Sequence, residues 1–311
     1  MTIGIAASGA WAGAGVLAGL RSVEMVGRGA IGGFVSLAVV TLDRRLVRAE
    51  TQRGGTQGLF ADAPPDDILT APLAALISSG PDRPRPLSQF VAGDADVGLV
   101  TGHRFPQAIR QDGKPLNAAI LDMMRNGTPP QRAIEGTIDN TPDFDAGFIA
   151  VSSNGAFGIG NMPSVLRRSD QGAVHRSCDD SGSDVAAIHN AIQPHKAVGL
   201  LACETVLDAM RLRGTARHSI TLKAGLHLSY GAAPEIHVDS AGVAIGIAHP
   251  DAKDLQKEKS LGIGDRVCVK QDGRVIGWLA QEPFMVIRNN RIETLDGKTS
   301  LDVTVFVDSF P

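Results

Sequence analysis

The chain has 311 residues, of which 43% are hydrophobic, 20% are charged and 4% are aromatic, and its formal net charge is −3. This length and composition predict a globular protein with a sizeable core, organised as one large or two ordinary domains. The near-neutral charge and the few aromatic residues argue against a basic or base-stacking surface, so we expect no nucleic-acid partner.

The first predicted elements follow from hydrophobic spacing. Residues 2–7 suit a strand, and apolar residues recur at helical spacing over residues 10–26. The runs 29–43 and 44–53 predict a hairpin of two long strands. Residues 64–80 begin with prolines and acids and end with glycine, a polarity that is typical of a helix.

The middle of the chain alternates between strands and helices. A short strand at 97–103 precedes predicted helices at 115–127 and 129–140. Residues 145–161 predict a hairpin that turns on the sequence Ser-Ser-Asn-Gly. Residues 167–184 are polar and rich in Gly and Ser, which predicts a surface connection.

The last third changes from helical to strand spacing. Residues 184–214 predict a helical segment with a break at Pro194, and strands follow from His218 onward. We therefore predict an α+β fold in which a four-layer αββα sandwich precedes a β-rich domain. The predicted boundaries are 1–168 for the sandwich, 169–214 for a polar and helical connector, and 215–311 for the β-rich domain.

Sequence signals for compartment and cofactors are few. No Lys or Arg precedes the first apolar run, and the longest apolar run, 30–42, is shorter than a membrane-spanning helix needs. The three cysteines are far apart and lack paired zinc-ligand spacing. Neither a Walker motif nor a dinucleotide fingerprint occurs. We therefore expect a cytoplasmic protein with reduced thiols, no membrane partner, no metal and no organic cofactor.

Thr2 is the first candidate catalytic residue. A small residue after Met1 usually permits removal of the initiator Met, which would leave Thr2 with a free α-amino group of pKa about 7.7–8.0. Such an amine can act as the general base for the hydroxyl of the same residue. The alternative is that Thr2 simply begins an edge strand.

Two glycine-containing segments supply candidate binding residues. In the segment 50–58, Gly54 and Gly55 allow positive φ and close approach of a ligand, so that backbone N–H groups there can hold an anion. Thr56, in the same segment, is a further candidate binding residue. Arg53 can pair with a carboxylate, or it can be a solvated side chain on a turn. Arg28, in the segment 26–33, is either a substrate clamp or a cap of the preceding helix.

The segment 98–105 supplies a candidate oxyanion site. Thr101 and Gly102 are predicted at the end of a strand, where a hydroxyl and a backbone N–H can stabilise an oxyanion. His103 and Arg104 follow directly, as candidate substrate-binding residues or as polar residues of a turn.

Four segments between residues 98 and 168 resemble the later half of the β-subunit of isoaspartyl peptidase/L-asparaginase-type N-terminal-nucleophile (Ntn) hydrolases. They are GLVTGHRF, PLNAAILDMMRNG, TPPQRAIEGTIDN and DAGFIAVSSNGAFGIGNMPSVLRR. The β-subunit of that family begins with Thr and a strand similar to TIGIAA, and carries a Gly-Arg segment similar to VGRGAIGG. The region beyond about residue 200 has no counterpart in the family.

The resemblance implies roles for several residues. Thr2 would be the nucleophile, Arg28 would bind a substrate carboxylate, and Thr101 with Gly102 would stabilise the oxyanion. Asn161, a candidate substrate-binding residue, falls where the family pattern has an Asn near the end of the strand pair. In this chain, removal of Met1 is the step that could expose Thr2.

These inferences together predict an Ntn-type amidohydrolase that cleaves a small amide bearing a carboxylate. Arg28 or Arg53 would bind the carboxylate of the substrate. The ligand of the protein would be a small amide or carboxylate. Two alternatives stay open: a non-catalytic small-molecule-binding or assembly protein on the same fold, and an amidohydrolase whose nucleophile is a Ser or Cys elsewhere. The segment 44–53 is a candidate interface for a homo-oligomer.

Overall fold

The chain consists of two compact units, Met1–Gly214 and Thr215–Pro311. Each unit has its own sheets and hydrophobic core, and the α+β class predicted from the sequence is confirmed. The computed structural model describes residues 2–178, 182–214, 216–250, 258–264 and 267–307.

The first unit contains both helices and strands. Its strands are β1 (Thr2–Ser8), β2 (Val35–Val40), β3 (Leu46–Thr51), β4 (Leu73–Ser79), β5 (Ala92–Asp94), β6 (Gly98–Arg104), β7 (Ala146–Ser152), β8 (Phe157–Asn161), β9 (Gln171–Cys178) and β10 (Ser183–Asn190). Its α-helices are α1 (Ala12–Val26), α2 (Asp66–Leu69), α3 (Leu116–Arg125), α4 (Pro130–Asn140), α5 (Pro163–Leu166) and α6 (Val198–Gly214).

The strands of the first unit form two antiparallel sheets. The larger sheet has the order β3-β2-β4-β1-β10-β9, and the smaller has the order β5-β6-β7-β8. One face of the larger sheet packs on the smaller sheet, because β1 and β4 both contact β6. A Cβ added at Gly4 would overlap the carbonyl oxygen of Gly102, so the glycine is what lets β1 and β6 approach so closely.

Helices cover the other face of each sheet. Helices α1 and α6 pack against each other and against strands of the larger sheet, while α3 and α4 pack against strands of the smaller sheet. In β1 the side chains of Ile3 and Ile5 join the core beneath the helices, and Ala6 joins the core between the sheets. Strands buried on both faces read as continuous apolar runs, which explains the absence of polar alternation in this strand.

The predicted helix over residues 64–80 is wrong. Only Asp66–Leu69 is helical, and Leu73–Ser79 is the buried strand β4. A short apolar run that is buried on both sides has no period that separates strand from helix, and Pro72 separates the two elements here.

The predicted connector over residues 169–214 is part of the first unit. Strands β9 and β10 pair with each other, and β10 pairs with β1 along its whole length. Helix α6 confirms the helical expectation only beyond Pro194, since Ser183–Asn190 is a strand. Residues 179–181 of the polar segment lie outside the described residues.

The described part of the second unit is built from ten strands. They are β11 (Arg217–Lys223), β12 (Leu228–Tyr230), β13 (Glu235–Val238), β14 (Ala244–His249), β15 (Lys259–Gly262), β16 (Cys268–Gln271), β17 (Arg274–Leu279), β18 (Phe284–Arg288), β19 (Arg291–Leu295) and β20 (Ser300–Phe306). Seven of them form a sheet of order β11-β20-β17-β16-β13-β14-β12, and β15-β18-β19 form another.

None of the described helices of the chain has the length and apolarity to cross a bilayer.

Candidate active site

A row of polar residues crosses four neighbouring strands at one end of the larger sheet. Thr2 begins β1, and its register partners are Ser79 at the end of β4 and Asn190 at the end of β10. Asn190 in turn pairs with Gln171, the first residue of β9. Because neighbouring strands are antiparallel, the first residues of β1 and β9 and the last residues of β4 and β10 lie at the same end of the sheet. We call Gln171, Asn190, Thr2 and Ser79 the polar row.

The polar row lies on the face that packs on the smaller sheet. Side chains two apart on a strand share a face. Ala6, Ile77 and Ile188 belong to the core between the sheets, and the polar row has the same parity on the same strands. Thr2 is only 5% exposed and Asn190 only 1%. Thr2, Ser79 and Asn190 therefore form a buried polar border of the apolar space between the sheets, and Gln171 at the end of the row is half-buried.

His103 and Asn161 face the row from the smaller sheet. His103 lies on β6 and is fully buried, and its Nε2 is 2.8 Å from Oδ1 of Asn161 at the end of β8. The Asn161 Nδ2 donates to Oε1 of Gln171 at 3.4 Å, which links the two sheets. Since Oδ1 of Asn161 can only accept, Nε2 of His103 carries the proton and Nδ1 is left with a lone pair.

Several polar atoms of this cluster have no hydrogen-bond partner among the described residues. They are Nδ1 of His103 and both amide atoms of Asn190, all buried. The Thr2 hydroxyl makes no hydrogen bond with a described residue, but it is not one of these fully buried unpaired atoms. Buried polar groups are nearly always paired, and those that are not often belong to functional sites.

Burial keeps His103 neutral at ordinary pH. Loss of solvation lowers the pKa of His103 to about 4, and the hydrogen bond that His103 donates to Asn161 only partly opposes this effect. The Asn190 side chain also lies near enough to raise the pKa slightly, although its amide atoms do not reach hydrogen-bond geometry. His103 can therefore act as a hydrogen-bond acceptor, and an imidazolium there is strongly disfavoured.

Arg83 is a residue of this region that the sequence reasoning missed. Its Nε donates to the Ser79 hydroxyl at 2.7 Å, so the guanidinium lies beside the polar row. No described carboxylate pairs with it. The signal in the sequence was an arginine four residues after a buried Ser-Ser strand end, in GPDRPRP, and it was hidden because this strand was predicted to be a helix.

The predicted anion site of the glycine-rich turn holds an anion of the protein itself. The Thr56 backbone N–H donates to Oε1 of Glu24 at 2.9 Å, and the Thr56 hydroxyl donates to Oε2. Gly54 and Gly55 both have positive φ, as the turn requires, and a Cβ at Gly55 would overlap the Glu24 carboxylate. The N–H group at Thr56 is thus unavailable to a substrate, and Glu24 on α1 is its ligand.

Neither predicted arginine clamp has a described hydrogen bond or ion pair with a residue of the polar cluster. Arg53 makes a bidentate pair with Asp82 at 2.7 and 2.9 Å, and both side chains are about 70% exposed, at 71% and 69%. Arg28 exchanges backbone hydrogen bonds with Gln193, while its side chain is exposed and has no described ion-pair partner. Arg53 therefore belongs to an ion pair on the surface. The sequence alone does not separate such an arginine from one that binds a ligand.

The predicted oxyanion pair also has a structural role. The Thr101 hydroxyl is buried and donates to the carbonyl of Leu76 on the facing sheet at 2.9 Å, so its proton is already engaged. Gly102 is inside β6, in register with Phe148, and not at the strand end that the sequence predicted. Arg104 is occupied by a two-point ion pair with Asp145. The structure thus brings together Thr2, His103 and Asn161 among the predicted site residues.

Other nucleophiles and ligand sets are less well placed. Burial raises the pKa of the Cys203 thiol to about 12 and raises that of Cys268, so neither forms a thiolate readily. Within the described ranges, no three His, Cys, Asp or Glu side chains converge as a metal site requires. A surface cavity of about 380 Å³ lies at the opposite end of β1, beside Ser8 and Thr41. None of the predicted site residues lines this cavity.

Two family models match the chain. Residues 2–219 match the family described as "Domain of unknown function (DUF6963)", and residues 225–300 match the family described as "Domain of unknown function (DUF7259)". The two matched segments follow the division of the chain into two units. No curated protein matches the chain.

Proposed function

The chain belongs to the DUF6963 family over residues 2–219, and from the geometry of its polar cluster we propose that it is an amidohydrolase with Thr2 as nucleophile. The main support for the proposal is the position of the Thr2 side chain. Its unpaired hydroxyl lies in a buried polar row, opposite a neutral His103 and next to an Asn190 amide without partners. Removal of Met1 would add a free amine to this cluster.

The chemistry follows the pattern of N-terminal Thr nucleophiles. The α-amine of Thr2 takes the hydroxyl proton while Oγ1 forms a bond to the amide carbonyl carbon. The amine then returns the proton to the leaving nitrogen as the C–N bond breaks, which releases ammonia or an amine and leaves an ester on Thr2. Water, deprotonated by the same amine, attacks the ester carbonyl carbon. The bond between this carbon and Oγ1 then breaks, the carboxylic acid leaves, and the amine returns the proton to the Thr hydroxyl.

Asn190 is the best-placed donor for the oxyanion. It is the direct cross-strand neighbour of Thr2, and its Nδ2 has no described partner. An amide donor preorganised in a buried site can stabilise the charge that develops on the carbonyl oxygen. In this proposal Asn190 takes the oxyanion-stabilising role that was predicted for Thr101. His103 and Asn161 hold the facing wall of the site through their own hydrogen bond.

The packing of the first unit supports an Ntn-like assignment. Helices α1 and α6 lie against one sheet, that sheet lies against the other, and α3 and α4 lie on the second sheet. This packing supports our proposal that the first unit is a four-layer αββα sandwich of the Ntn-hydrolase type. We also propose a cytoplasmic location on the sequence grounds given above.

The experiment is hydrolysis of small carboxylate-bearing amides by the tag-free protein. Succinamate, the monoamide of succinic acid, is the simplest probe, and ammonia release is the readout. Thr2→Ala should abolish turnover, and Thr2→Ser should retain part of it because the amine and a hydroxyl are kept. Thr70→Ala is the matched control, since the exposed Thr70 hydroxyl bonds only to the carbonyl of Asp66. Full turnover by Thr2→Ala would refute the proposal.

A second candidate function is non-catalytic binding of a small molecule on the same fold. The observation that favours it is the depth of the cluster, since Thr2 is 5% exposed and His103 is fully buried. In this case the tag-free protein would bind succinamate or a related ligand without releasing ammonia. Thr2→Ala would then leave the binding constant unchanged.

A further inference from the structure

Arg83 is held rigidly next to the polar row. The side-chain amide of Gln52 clamps the Arg83 backbone, donating to its carbonyl at 2.6 Å and accepting from its N–H at 2.9 Å. The Ser79 hydroxyl accepts from Nε of Arg83 and donates to the carbonyl of Gly80. Both the backbone and the guanidinium are therefore oriented before any ligand arrives.

The charge of Arg83 is not balanced within the described residues. Two other arginines of this region have acidic partners, since Arg53 pairs with Asp82 and Arg104 pairs with Asp145, whereas the exposed Arg85 has no described ion-pair partner. Arg83 is half-buried, and the two terminal nitrogens of its guanidinium make no hydrogen bond with the described residues. A guanidinium held by Nε alone keeps its terminal nitrogens for a bidentate carboxylate.

We propose that Arg83 binds the carboxylate of the substrate next to Thr2. This inference rests on the proposed amidohydrolase function, for which it names the substrate class. Ser79, which Arg83 contacts, is the direct cross-strand partner of Thr2, and such partners have Cβ atoms about 4.5–5.5 Å apart. A carboxylate on Arg83 therefore lies only a few bonds from a carbonyl at Thr2. The substrates are half-amides of short dicarboxylic acids.

The test measures binding in a protein that cannot turn the ligand over. Thr2→Ala is titrated calorimetrically with succinamate and with succinamide, its uncharged counterpart. Adding Arg83→Gln should weaken succinamate binding about 10- to 100-fold, the effect of losing a charge-assisted hydrogen bond, and leave succinamide binding unchanged. Arg83→Lys should recover part of the affinity, because it keeps the charge and loses the bidentate geometry.

Arg85→Gln is the matched control, since Arg85 is exposed, lies two residues away and has no described ion-pair partner. Equal succinamate affinity in the Arg83→Gln and parent proteins overturns the inference, as does a parent that binds no succinamate. Equal losses for both probes in Arg83→Gln overturn it too. Arg83-dependent binding together with a wild-type protein that releases no ammonia supports the inference and refutes the amidohydrolase proposal.

Discussion

The absence of a side chain at Gly147 is what allows His103 and Asn161 to meet. Gly147 lies on β7 in register with both His103 on β6 and Asn161 on β8. A Cβ at this position would overlap Oδ1 of Asn161 and Nε2 of His103. The facing wall of the site thus depends on one glycine that carries no chemistry of its own.

Gly147→Ala is expected to destabilise the first unit by about 1–3 kcal/mol, because the methyl overpacks a buried strand and separates a hydrogen-bonded pair. Urea unfolding measures the change. Gly136→Ala on α4 is the control. Its new methyl would meet only the terminal carbon of Met123, at 3.1 Å, so the higher helix propensity of Ala should stabilise the protein. Equal effects of the two substitutions would contradict the role assigned to Gly147.

Two buried histidines give the first unit a defined dependence on pH. Burial lowers the pKa of both His103 and His189 to about 4, from an ordinary value of 6.5. Between these values the unfolded chain binds more protons than the folded chain, so stability is present above about pH 6.5 and is lost as the pH falls toward 4. Each histidine contributes at most roughly 3 kcal/mol of this loss.

The urea concentration at the unfolding midpoint should therefore decrease as the pH is lowered from 6.5 to 4. His103→Gln should make this decrease smaller. Glutamine keeps a donor for Asn161 and removes the titrating group. In the double variant with His189→Gln the decrease should be smaller still. An unchanged slope in both variants would show that the histidines are not the groups that titrate.

The residues of the site differ in how far the sequence could predict them. Thr2 could be predicted because its chemistry depends on position in the chain, and His103 and Asn161 because they follow recognisable strand patterns. Arg53 and Thr101 were mistaken for ligand residues since their partners, Asp82 and Leu76, are distant in sequence. Asn190 is part of a strand that the sequence predicted as a helix.

At the scale of elements, α1 and the glycine-rich turn are joined by one buried carboxylate. The Glu24 side chain is 5% exposed and accepts both the N–H and the hydroxyl of Thr56. The N–H of Gly55 donates to the carbonyl of Gly33, and the N–H of Gly33 donates to that of Ser79, which connects the turn to the polar row.

Glu24→Gln should cost about 1–3 kcal/mol of stability, because a neutral amide places an N–H₂ group against a donor or leaves the Thr56 N–H poorly paired. Hydrogen exchange at the Thr56 amide should accelerate in parallel. Glu135→Gln is the control, since Glu135 is 41% exposed and pairs with Arg132 on the surface of α4. No difference between the two variants in urea unfolding would contradict the buried role of Glu24.

The two amphipathic helices of the first unit were predicted well, whereas two of its buried strands were predicted as helices. Helices α3 and α4 have one apolar and one polar side, and their positions are confirmed within a few residues. Strands β4 and β10 are almost wholly buried, so neither has a polar face that would reveal a period. Of the six-stranded sheet, strands β1, β2 and β3 agree with the prediction, whereas β4, β9 and β10 do not.

At the scale of the molecule, the chain is two units with separate cores. The described apolar clusters of residues 2–214 contain no residue of the second unit, and the converse also holds. We predict that residues 1–214 expressed alone unfold cooperatively in urea, as a domain with its own core does. A fragment that lacks a cooperative transition would show that the first unit needs the second for its stability.

The central claim is that Thr2 becomes the chain terminus and carries the acyl group. Mass spectrometry of the N-terminal peptide, from tag-free protein quenched during turnover of succinamate, tests it most directly. We predict a peptide that begins at Thr2 and bears a succinyl ester on the Thr2 hydroxyl. A protein that releases ammonia from succinamate while its N-terminal peptide still begins with Met1 would contradict the claim.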